Sequence, residues 1–381
     1  MEMKILMLIT GSTLMDGIAR HISAIAPALN AMDGCEVAVC MVHQEGDFSL
    51  FLKNKGVRVF SLNAVSGHDI RVVTRFWRVM REYKPDIVHC HVMAILERIV
   101  AAICFRKVKY ITTVHGIADP PSHVSWRMRL ESILLRIFHL PFAATFYVSE
   151  GVRNYVGHSE TSGGDAYTVY NPMSFELPPA RDFQLQNILG LGAEVPIIGT
   201  ACRLADPPKN TKIFTTVMCR VLQKNSSVHA VVMGDGKESL KAELRAIVEA
   251  AGVSDRFHWL GYRQDAPELV RNLRCFIMTS RWEGLPTSVL EAMSAKVPIA
   301  MMAGGGGLED LSKLHREEGP IGIITPLGNI DAITHGILEL LENSILAKDL
   351  ADRAYNVGKA HFDVCNVIRQ IYNIYMSIYN Q

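Results

Sequence analysis

Two glutamates stand eight residues apart in the segment SRWEGLPTSVLEAM, which follows a strand-like run. Glu283 lies in the turn and Glu291 inside the helix that the later residues predict. Gly284 permits close approach of a ligand to the backbone, and Thr287 or Ser288 could cap the helix. The start of such a helix can bind phosphate, and an acid farther along it can bind the hydroxyls of a ribose. The alternative is a capped surface helix with two solvated glutamates, and spacing alone leaves both open.

A second candidate is the loop CRLADPPKN, which follows a strand-like run at 195–201. It carries two cations, Arg203 and Lys209, six residues apart. Two cations that converge from one loop can neutralise a diphosphate, and the planar guanidinium suits bidentate contact with phosphate oxygens. Taken alone, the pattern also fits a loop whose charges are solvated.

Two glycine-containing turns each join a predicted strand to a predicted helix. One lies at 233–239 (MGDGKES), and the other, GSTLMDGIARH, contains Gly17. Gly17 would let the backbone approach a ligand. The turn at 233–239 lacks the full dinucleotide-binding fingerprint and is weak evidence for a site. A plain loop is the alternative for the turn that contains Gly17.

Histidines end two of the strand-like runs. His115 precedes Gly116 in TTVHGIADPP, where a side chain at the carboxyl end of a strand can contact a substrate hydroxyl. The alternative is a hydrogen-bonded histidine at a domain surface. His89 and His91 alternate with Cys90 at the end of another run. Their spacing suits a metal, but no third ligand is evident, so we expect packing or cleft lining and no metal site.

The elements that must position these residues alternate between strands and helices along the whole chain. The strand-like runs are 4–10, 35–42, 57–62, 86–91, 110–115, 144–149, 195–201, 228–234, 256–261, 275–280, 297–302 and 321–325. Helical patterns include 17–32, 237–251, 331–343 and 366–379. Apolar strands separated by helices indicate parallel sheets covered on both faces.

The proline-containing segment 171–183 separates two similar halves and is typical of a linker. We therefore predict an α/β protein with two doubly wound, Rossmann-like domains, at 1–175 and 176–365, that face each other across a cleft. A C-terminal helix at 366–381 is expected to pack back on the first domain. Ligands of such sheets bind outside the carboxyl ends of the strands.

The composition of the 381 residues excludes several classes of protein. The net charge is +1, which gives no global field for binding nucleic acid. The eight cysteines include no C-x-x-C pair, which is typical of reduced thiols in a cytoplasmic protein. No apolar run reaches the roughly 20 residues that a membrane-spanning helix needs. The N-terminus lacks a signal-peptide cleavage pattern, so we expect a cytoplasmic protein.

Together these segments resemble the retaining glycosyltransferases of family 4, which have the two-domain GT-B architecture. The resemblance covers nearly the whole chain, and its strongest part is the Glu-x7-Glu motif in EGLPTSVLE, followed by AMSAKVPIA. ACRLADPPKN resembles the family's Arg/Lys diphosphate loop. Further matches, in the family's order and spacing, are DGIARHI, TVHG, YVSE, VYNPM, VVMGDG and FHWLGYR.

The resemblance implies a role for each matched residue. Arg203 and Lys209 would hold the donor diphosphate and stabilise it as it leaves. Glu291 would bind the ribose, whereas Glu283 and His115 would contact the donor sugar. The remaining implied donor-binding groups are the backbone of Gly284, Leu285 and Thr287, the glycine loop at Gly17, and Tyr262 with Arg263 near the base.

The resemblance also implies a reaction. A sugar would pass from a nucleotide-sugar, UDP-linked before GDP-linked, to a glycan or lipid-linked saccharide acceptor in the synthesis of cell-surface polysaccharide or lipopolysaccharide. The anomeric configuration would be retained through front-face attack, with the leaving phosphate helping to deprotonate the acceptor. No Asp-x-Asp motif appears, so we expect no essential metal, and the nucleotide-sugar is a co-substrate rather than a cofactor.

Several positions depart from the family pattern. Pro207 and Pro208 lengthen the cationic loop, and Asn210 follows its lysine where the family often has glycine. Lys296 stands where glycine is usual, and the segment MMAGGGGLED around Glu309 is unusually rich in glycine. These changes could alter the choice of donor or the diphosphate pocket.

The acceptor side of the family lies mostly in the N-terminal domain. Residues 60–140 hold twelve Lys and Arg against six Asp and Glu, a balance of +6 (12 − 6). The helical patterns at 71–84 and 125–138 contain Trp77 and Trp126 and can lie on an anionic membrane. Ordinary helices packed by their apolar faces, with the arginines in solvent, are one interpretation, and contact with the inner face of the cytoplasmic membrane is the other.

Other functions compete with a transferase. A GT-B sugar-nucleotide epimerase would isomerise its substrate without an acceptor, and the two spaced glutamates argue against it. A non-catalytic GT-B subunit would bind nucleotide without turning over a donor, and the unusual cationic loop and Lys296 keep this alternative open. A nicotinamide dehydrogenase is disfavoured, because Gly-x-Gly-x-x-Gly is missing after the first strand.

Overall fold

The computed structural model describes residues 2–11, 17–66, 69–91, 95–117, 140–156, 164–176 and 184–381. The chain divides into two compact units. The first unit contains Met1–Pro172 together with Val364–Gln381, and the second contains Met173–Asp363. The predicted helix at 125–138, including Trp126, lies outside the described residues.

The first unit is built on a seven-stranded parallel sheet with the strand order β3-β2-β1-β4-β5-β6-β7. Its strands are β1 (Met3–Ile9), β2 (Cys35–Met41), β3 (Arg58–Ser61), β4 (Ile87–Cys90), β5 (Lys109–Val114), β6 (Ala144–Tyr147) and β7 (Asp165–Thr168). Every residue of β4 and β6 is buried, as expected for strands covered on both faces.

Helices cover both faces of this sheet. They are α1 (Gly17–Asn30), α2 (Asp47–Asn54), α3 (Arg71–Tyr83), α4 (Ile95–Cys104) and α5 (Glu150–Val156). One hydrophobic cluster joins α1 and α2 to the sheet through residues such as Ile22 and Phe48. A second cluster joins α3 and α4 to the sheet through Phe76 and Val100. The two clusters are the cores on the two sides of a doubly wound sheet.

The second unit has a six-stranded parallel sheet with the order β10-β9-β8-β11-β13-β15. Its strands are β8 (Ile197–Ala201), β9 (His229–Met233), β10 (Phe257–Gly261), β11 (Cys275–Met278), β13 (Ile299–Ala303) and β15 (Ile323–Pro326). A separate parallel pair joins β12 (Trp282–Glu283) to β14 (Gly305–Gly306).

The α-helices of the second unit again flank its sheet. They are α6 (Gln184–Leu189), α7 (Thr211–Lys224), α8 (Glu238–Ala250), α9 (Ala266–Val270), α10 (Thr287–Ser294), α11 (Gly307–Glu317), α12 (Ile330–Glu342) and α13 (Ser344–Phe362). The chain then returns to the first unit as α14 (Val364–Tyr379). There, Ile371 and Tyr375 of α14 are fully buried in the cluster that contains α1.

The predicted fold class, two doubly wound parallel α/β domains, is confirmed. The first residues of the predicted linker are packed against the protein rather than exposed as in a flexible linker. Phe175 is 2% exposed, and its carbonyl oxygen accepts a hydrogen bond of 2.5 Å from the hydroxyl of Tyr355. Residues 177–183 of that segment lie outside the described ranges. Within those ranges, no helix combines the length and hydrophobicity that crossing a bilayer requires.

Candidate functional site

The parallel sheet of the second unit brings four predicted regions to one edge. Because β10, β9, β8 and β11 are neighbours in that order, the loops that follow them lie side by side. Arg203 follows β8, the glycine turn at 233–239 follows β9, Tyr262 follows β10, and Glu283 follows β11. The carboxyl ends of parallel strands are where open α/β sheets place their ligands.

A bidentate ion pair joins two of these loops. The Lys209 ammonium lies 2.5 Å from Oε1 and 2.7 Å from Oε2 of Glu283. The hydroxyl of Ser280 donates a further hydrogen bond of 2.7 Å to Oε1. The two charged side chains are 22% and 12% exposed, so the pair is largely screened from water. Sequence reasoning placed Lys209 and Glu283 in the site but did not predict that they pair.

The lengthened cationic loop is fixed in place. The backbone N–H of Arg281 donates to the carbonyl oxygen of Pro208 at 2.9 Å, which ties the loop to the end of β11. Asn210 has a φ of 53°, and its side-chain amide donates to the carbonyl oxygen of Thr279 at 3.2 Å. The left-handed backbone at Asn210 accounts for the glycine that the family often has there. The extra proline therefore leaves a defined loop that presents Lys209 to Glu283.

Arg203 is the uncompensated cation of this loop. Its side chain is exposed, and it forms no ion pair with any other residue that the structure describes. The adjacent backbone is held by Gly234, because a Cβ at that position would lie 1.8 Å from the carbonyl oxygen of Cys202. The glycine turn after β9 thus has a packing role that positions Arg203, whereas its pattern alone was only weak evidence for ligand binding.

The glycine-rich segment 304–307 supports the backbone around Glu283. Trp282 and Glu283 of β12 pair with β14, and the N–H of Gly307 donates to the carbonyl oxygen of Gly284 at 3.0 Å. A Cβ on Gly307 would lie 2.5 Å from that same oxygen, so only glycine fits. Glu309, in the first turn of α11, is exposed. The unusual glycine run therefore fixes the turn that carries Glu283.

The helix α10 spans Thr287–Ser294, and its N-terminal cap differs from the prediction. Pro286 occupies the N-cap position, and no side chain caps the helix, so the expectation that Thr287 or Ser288 does so is wrong. Thr287 is instead the first helical residue, where backbone N–H groups have no partner within the helix. Glu291 lies half-buried one turn farther on. Leu285, just before the helix, is 5% exposed.

Lys296 is engaged with the helix α13. Its ammonium lies 2.7 Å from Oδ1 of Asp352 and 4.9 Å from the ring centroid of Tyr355. Its φ of 53° lies in the left-handed region, which explains why glycine is usual at this position. The lysine is therefore accommodated by contacts on its own unit, and these contacts give it a structural role.

Tyr262 and Arg263 follow the edge strand β10. Tyr262 is 40% exposed and comes directly after Gly261, whose φ is 64°. Arg263 forms two hydrogen bonds with Asp265, of 2.8 and 2.6 Å. Its guanidinium thus pairs with Asp265, and Tyr262 is an exposed aromatic ring on this turn.

In the first unit, the carboxyl ends of β1, β4 and β5 are neighbours and carry the other predicted residues. Gly17 begins α1 after β1, and residues 12–16 of the loop before it lie outside the described residues. His115 follows β5, and its Nε2 lies 2.9 Å from Nδ1 of His91, which follows β4. Burial lowers the pKa of both imidazoles well below the ordinary histidine value.

Sequence reasoning missed this pairing of His115, and it missed His21 as well. The ring of His21, on the buried face of α1, lies 5.1 Å from the ring of His115. Two signals could have found the group, namely the adjacency of β4 and β5 and the helical periodicity that turns His21 inward. Within the described residues, no group of three or more His, Cys, Asp or Glu side chains is arranged to hold a metal ion.

The two halves of the chain match two family models. Residues 15–176 match the model described as Glycosyltransferase Family 4, and residues 195–343 match the model described as Glycosyl transferases group 1. The chain therefore belongs to the group 1 glycosyltransferases of family 4, and the resemblance noted in the sequence is confirmed at this level. Its two parallel-sheet units are those of the GT-B fold.

Relatives and solved structures agree with this assignment. A UDP-Gal:alpha-D-GlcNAc-diphosphoundecaprenol alpha-1,3-galactosyltransferase of Escherichia coli is 22% identical over 81% of this chain and 80% of that protein. An uncharacterized glycosyltransferase of Methanocaldococcus jannaschii is 30% identical over 21% of this chain, and the match spans only 19% of that relative. Anabaena HepE in complex with UDP and glucose has a TM-score of 0.79 at 21% identity, over 99% of this chain and 100% of that one, which shows a common fold.

Proposed function

We propose that the protein transfers a sugar from a nucleotide-sugar, UDP-linked rather than GDP-linked, to a glycan or lipid-linked saccharide acceptor. The observation that carries the proposal is the cationic loop of Arg203 and Lys209, which meets Glu283 at the carboxyl edge of the second sheet. Family membership supports a transferase. The E. coli relative named for UDP-Gal and a diphosphoundecaprenol-linked sugar supports the classes of donor and acceptor.

Each of the two cations of the loop would bind one phosphate group of the diphosphate. An ammonium has three N–H donors, and Glu283 takes two of those of Lys209, so one remains for a phosphate oxygen. Arg203 has no ion pair with another described residue, so its bidentate face is available to the other phosphate. Positive charge fixed beside the bond that breaks stabilises the nucleoside diphosphate as it leaves.

The remaining proposed contacts with the donor are assigned to residues on the neighbouring loops. Glu283 and the backbone of Gly284, Leu285 and Thr287 would bind the transferred sugar, since they form the turn and the first N–H groups of α10. Glu291, farther along the helix, would accept hydrogen bonds from the ribose. The other contacts in the proposal are Tyr262 beside the base, and Gly17 and His115 as the contributions of the first unit.

Retention would occur by front-face attack rather than through a covalent sugar on Glu283. Both oxygens of this carboxylate bind Lys209, and one also accepts from Ser280, so these contacts use three of its roughly four acceptor sites. Charge neutralisation by Lys209 lowers its nucleophilicity, while the remaining site can still accept from a sugar hydroxyl. The leaving phosphate would then take the proton of the acceptor hydroxyl. The cations of the loop supply the charge stabilisation, so the proposal needs no metal.

Contact with an anionic membrane surface is a further part of the proposal. On α3, Trp77 is 43% exposed and Arg81 lies 5.3 Å from its ring, while Ile70 just before the helix is 76% exposed. A cavity of about 280 Å³ between α3 and α4 is lined by Val73, Thr74, Trp77, Arg78, Val100 and Cys104. Exposed arginines around an apolar surface fit lipid headgroups and acyl chains. Sedimentation with vesicles of increasing anionic lipid content tests this, and binding independent of lipid charge contradicts it.

The non-catalytic subunit is less well supported, because the features that kept this alternative open have structural explanations. The altered cationic loop is anchored to β11, and Lys296 pairs with Asp352. The transferase is tested by incubating the protein with a labelled UDP-sugar and lipid-linked saccharides, with and without EDTA. We expect a product with the anomeric configuration of the donor, in equal yield with EDTA. Inversion or a requirement for metal contradicts the proposed mechanism.

A further inference from the structure

Four imidazoles meet in the first unit, at the edge of the sheet where β1, β4 and β5 end. They belong to His21, His89, His91 and His115. The ring centroids of His89 and His91 are 4.2 Å apart, and those of His91 and His115 are 5.2 Å apart. The ring of His21 lies edge-on to both His91 and His115, at 5.5 and 5.1 Å. We call this group the histidine cluster.

One end of the histidine cluster is anchored through both ring nitrogens. Nδ1 of His89 bonds to the hydroxyl of Tyr375 on α14, and Nε2 lies 2.6 Å from Oγ1 of Thr113. His89 is fully buried, so water does not compete with Tyr375 or Thr113 for these hydrogen bonds. Since the ring of His91 packs against that of His89, the orientation of His91 is fixed as well.

The next pair determines where the proton of His115 resides. Burial lowers the pKa of His91 and His115 well below the ordinary value, so both rings are neutral and each carries one N–H. Their hydrogen bond joins Nδ1 of His91 to Nε2 of His115 at 2.9 Å. One of these nitrogens therefore donates and the other accepts.

The second ring nitrogen of His91, Nε2, indicates which of the two histidines donates the hydrogen bond. His91 is 4% exposed, and its Nε2 is buried with no hydrogen-bond partner among the described residues. If His115 donated from Nε2, the proton of His91 would lie on this buried, unpartnered nitrogen. A buried N–H without an acceptor is rare and unfavourable in folded proteins. The favoured arrangement therefore has the Nδ1–H of His91 donating to His115.

We propose that His91 is a positioning residue that holds His115 in the neutral tautomer protonated at Nδ1. His115 then presents a hydrogen-bond donor to an oxygen of the transferred sugar, a role that rests on the proposed function. The fixed donor favours sugars with a hydroxyl oxygen at the contacted position. A sugar that lacks this oxygen would leave the N–H of His115 without an acceptor, which weakens binding.

Two nearly isosteric substitutions test the proposal. His91→Asn keeps an N–H donor close to the position of Nδ1, whereas His91→Asp offers only an acceptor to Nε2 of His115. Histidine-selective ¹⁵N NMR, with His115→Ala to assign the resonance, reports which nitrogen carries the proton. We expect Nδ1–H in the wild type and in His91→Asn, and Nε2–H in His91→Asp.

The kinetic readout uses the donor that the wild type turns over. We expect kcat/KM within about threefold of the wild type for His91→Asn and at least about tenfold lower for His91→Asp, as for one hydrogen bond reversed at a substrate. Protonation of wild-type His115 at Nε2, or equal losses in the two variants, overturns the proposal. A wild type that carries Nδ1–H but turns over no donor overturns the proposed function and leaves the tautomer assignment standing.

Discussion

Lys209 and Glu283, 74 residues apart in the chain, form a bidentate ion pair in which the ammonium contacts both carboxylate oxygens at 2.5 and 2.7 Å. The pair ties the cationic loop after β8 to the turn after β11. The proposed diphosphate-binding residue and the proposed sugar-binding residue are therefore coupled, and a change to either one alters the environment of the other.

Removing only Lys209 should leave a largely buried carboxylate without its cation. We expect Lys209→Ala to lower the free energy of unfolding of the second unit by about 2 kcal/mol, and Lys209→Ala/Glu283→Gln to recover much of that loss. A double-mutant cycle from urea denaturation measures the coupling. Additive effects of the two substitutions would show that the pair contributes little.

Glu291 and Glu283 should differ in their effect on nucleotide binding. If Glu291 binds the ribose, Glu291→Gln weakens UDP binding by roughly 10- to 100-fold, the range for a hydrogen bond to a charged group. Glu283→Gln should not weaken UDP binding, because it frees Lys209 for the diphosphate, yet it should slow release of the sugar. Calorimetric titration with UDP checks both variants, and equal losses of affinity would refute the division of roles.

Glycines on the two units should respond differently to alanine. Gly307→Ala places a Cβ 2.7 Å from the Cα of Leu285, so we expect a lower melting temperature and loss of donor binding. A Cβ in Gly17→Ala meets no atom of the described residues within 4 Å, so this variant should keep the wild-type melting temperature while weakening donor turnover. Gly192→Ala, whose nearest contact is 3.8 Å, is the matched control and should change neither. Full turnover in Gly17→Ala would remove that residue from the proposed site.

Lys296 should prove structural rather than functional. Lys296→Ala keeps the left-handed backbone strain and loses the contacts with Asp352 and Tyr355, so it should be less stable than the wild type. Lys296→Gly relieves about 1 kcal/mol of that strain and should be the more stable of the two variants. Both should turn over donor at the wild-type rate. A changed preference among donors in either variant would show that Lys296 influences the donor site.

The histidine cluster makes the stability of the first unit depend on pH. Burial lowers the pKa of His21 to about 4 and that of His89 to about 3, against about 6.5 in an unfolded chain. Between these values the unfolded chain binds more protons, so the free energy of unfolding is highest above pH 6.5 and falls as the pH decreases. Each such histidine contributes a slope of about 1.4 kcal/mol per pH unit.

Melting temperatures measured from pH 7 to pH 5 test this dependence. We expect a progressive decrease in the wild type and a smaller decrease in His21→Asn, which removes one of the titrating groups. A melting temperature that is constant over this range would show that the cluster binds protons as readily folded as unfolded.

The architecture could be predicted because apolar runs of the right length alternate with amphipathic helical patterns. The elements that escaped prediction are short or carry little hydrophobic pattern. β7 is a four-residue edge strand, DAYT, with no buried residue, and β12 and β14 have two residues each. Such strands form because neighbouring chain presents hydrogen-bonding groups to them, which a local pattern does not reveal.

Candidate site residues could be proposed from strand ends, but their pairings could not. Lys209 and Glu283 each follow a strand of the same sheet, yet only the adjacency of β8 and β11 brings them together. The same holds for His91 and His115 through β4 and β5. The left-handed backbone at Lys296 was equally hidden, because a lysine gives no local indication of a positive φ.

The most direct test of the central claim is release of nucleoside diphosphate from a panel of UDP- and GDP-sugars. The wild type would be measured beside Arg203→Ala and Glu291→Ala, with binding of UDP and GDP followed in parallel. We predict slow release of UDP from one donor and its loss in both variants. A folded wild-type protein that neither binds UDP nor releases it from any donor would contradict the account and favour the non-catalytic subunit.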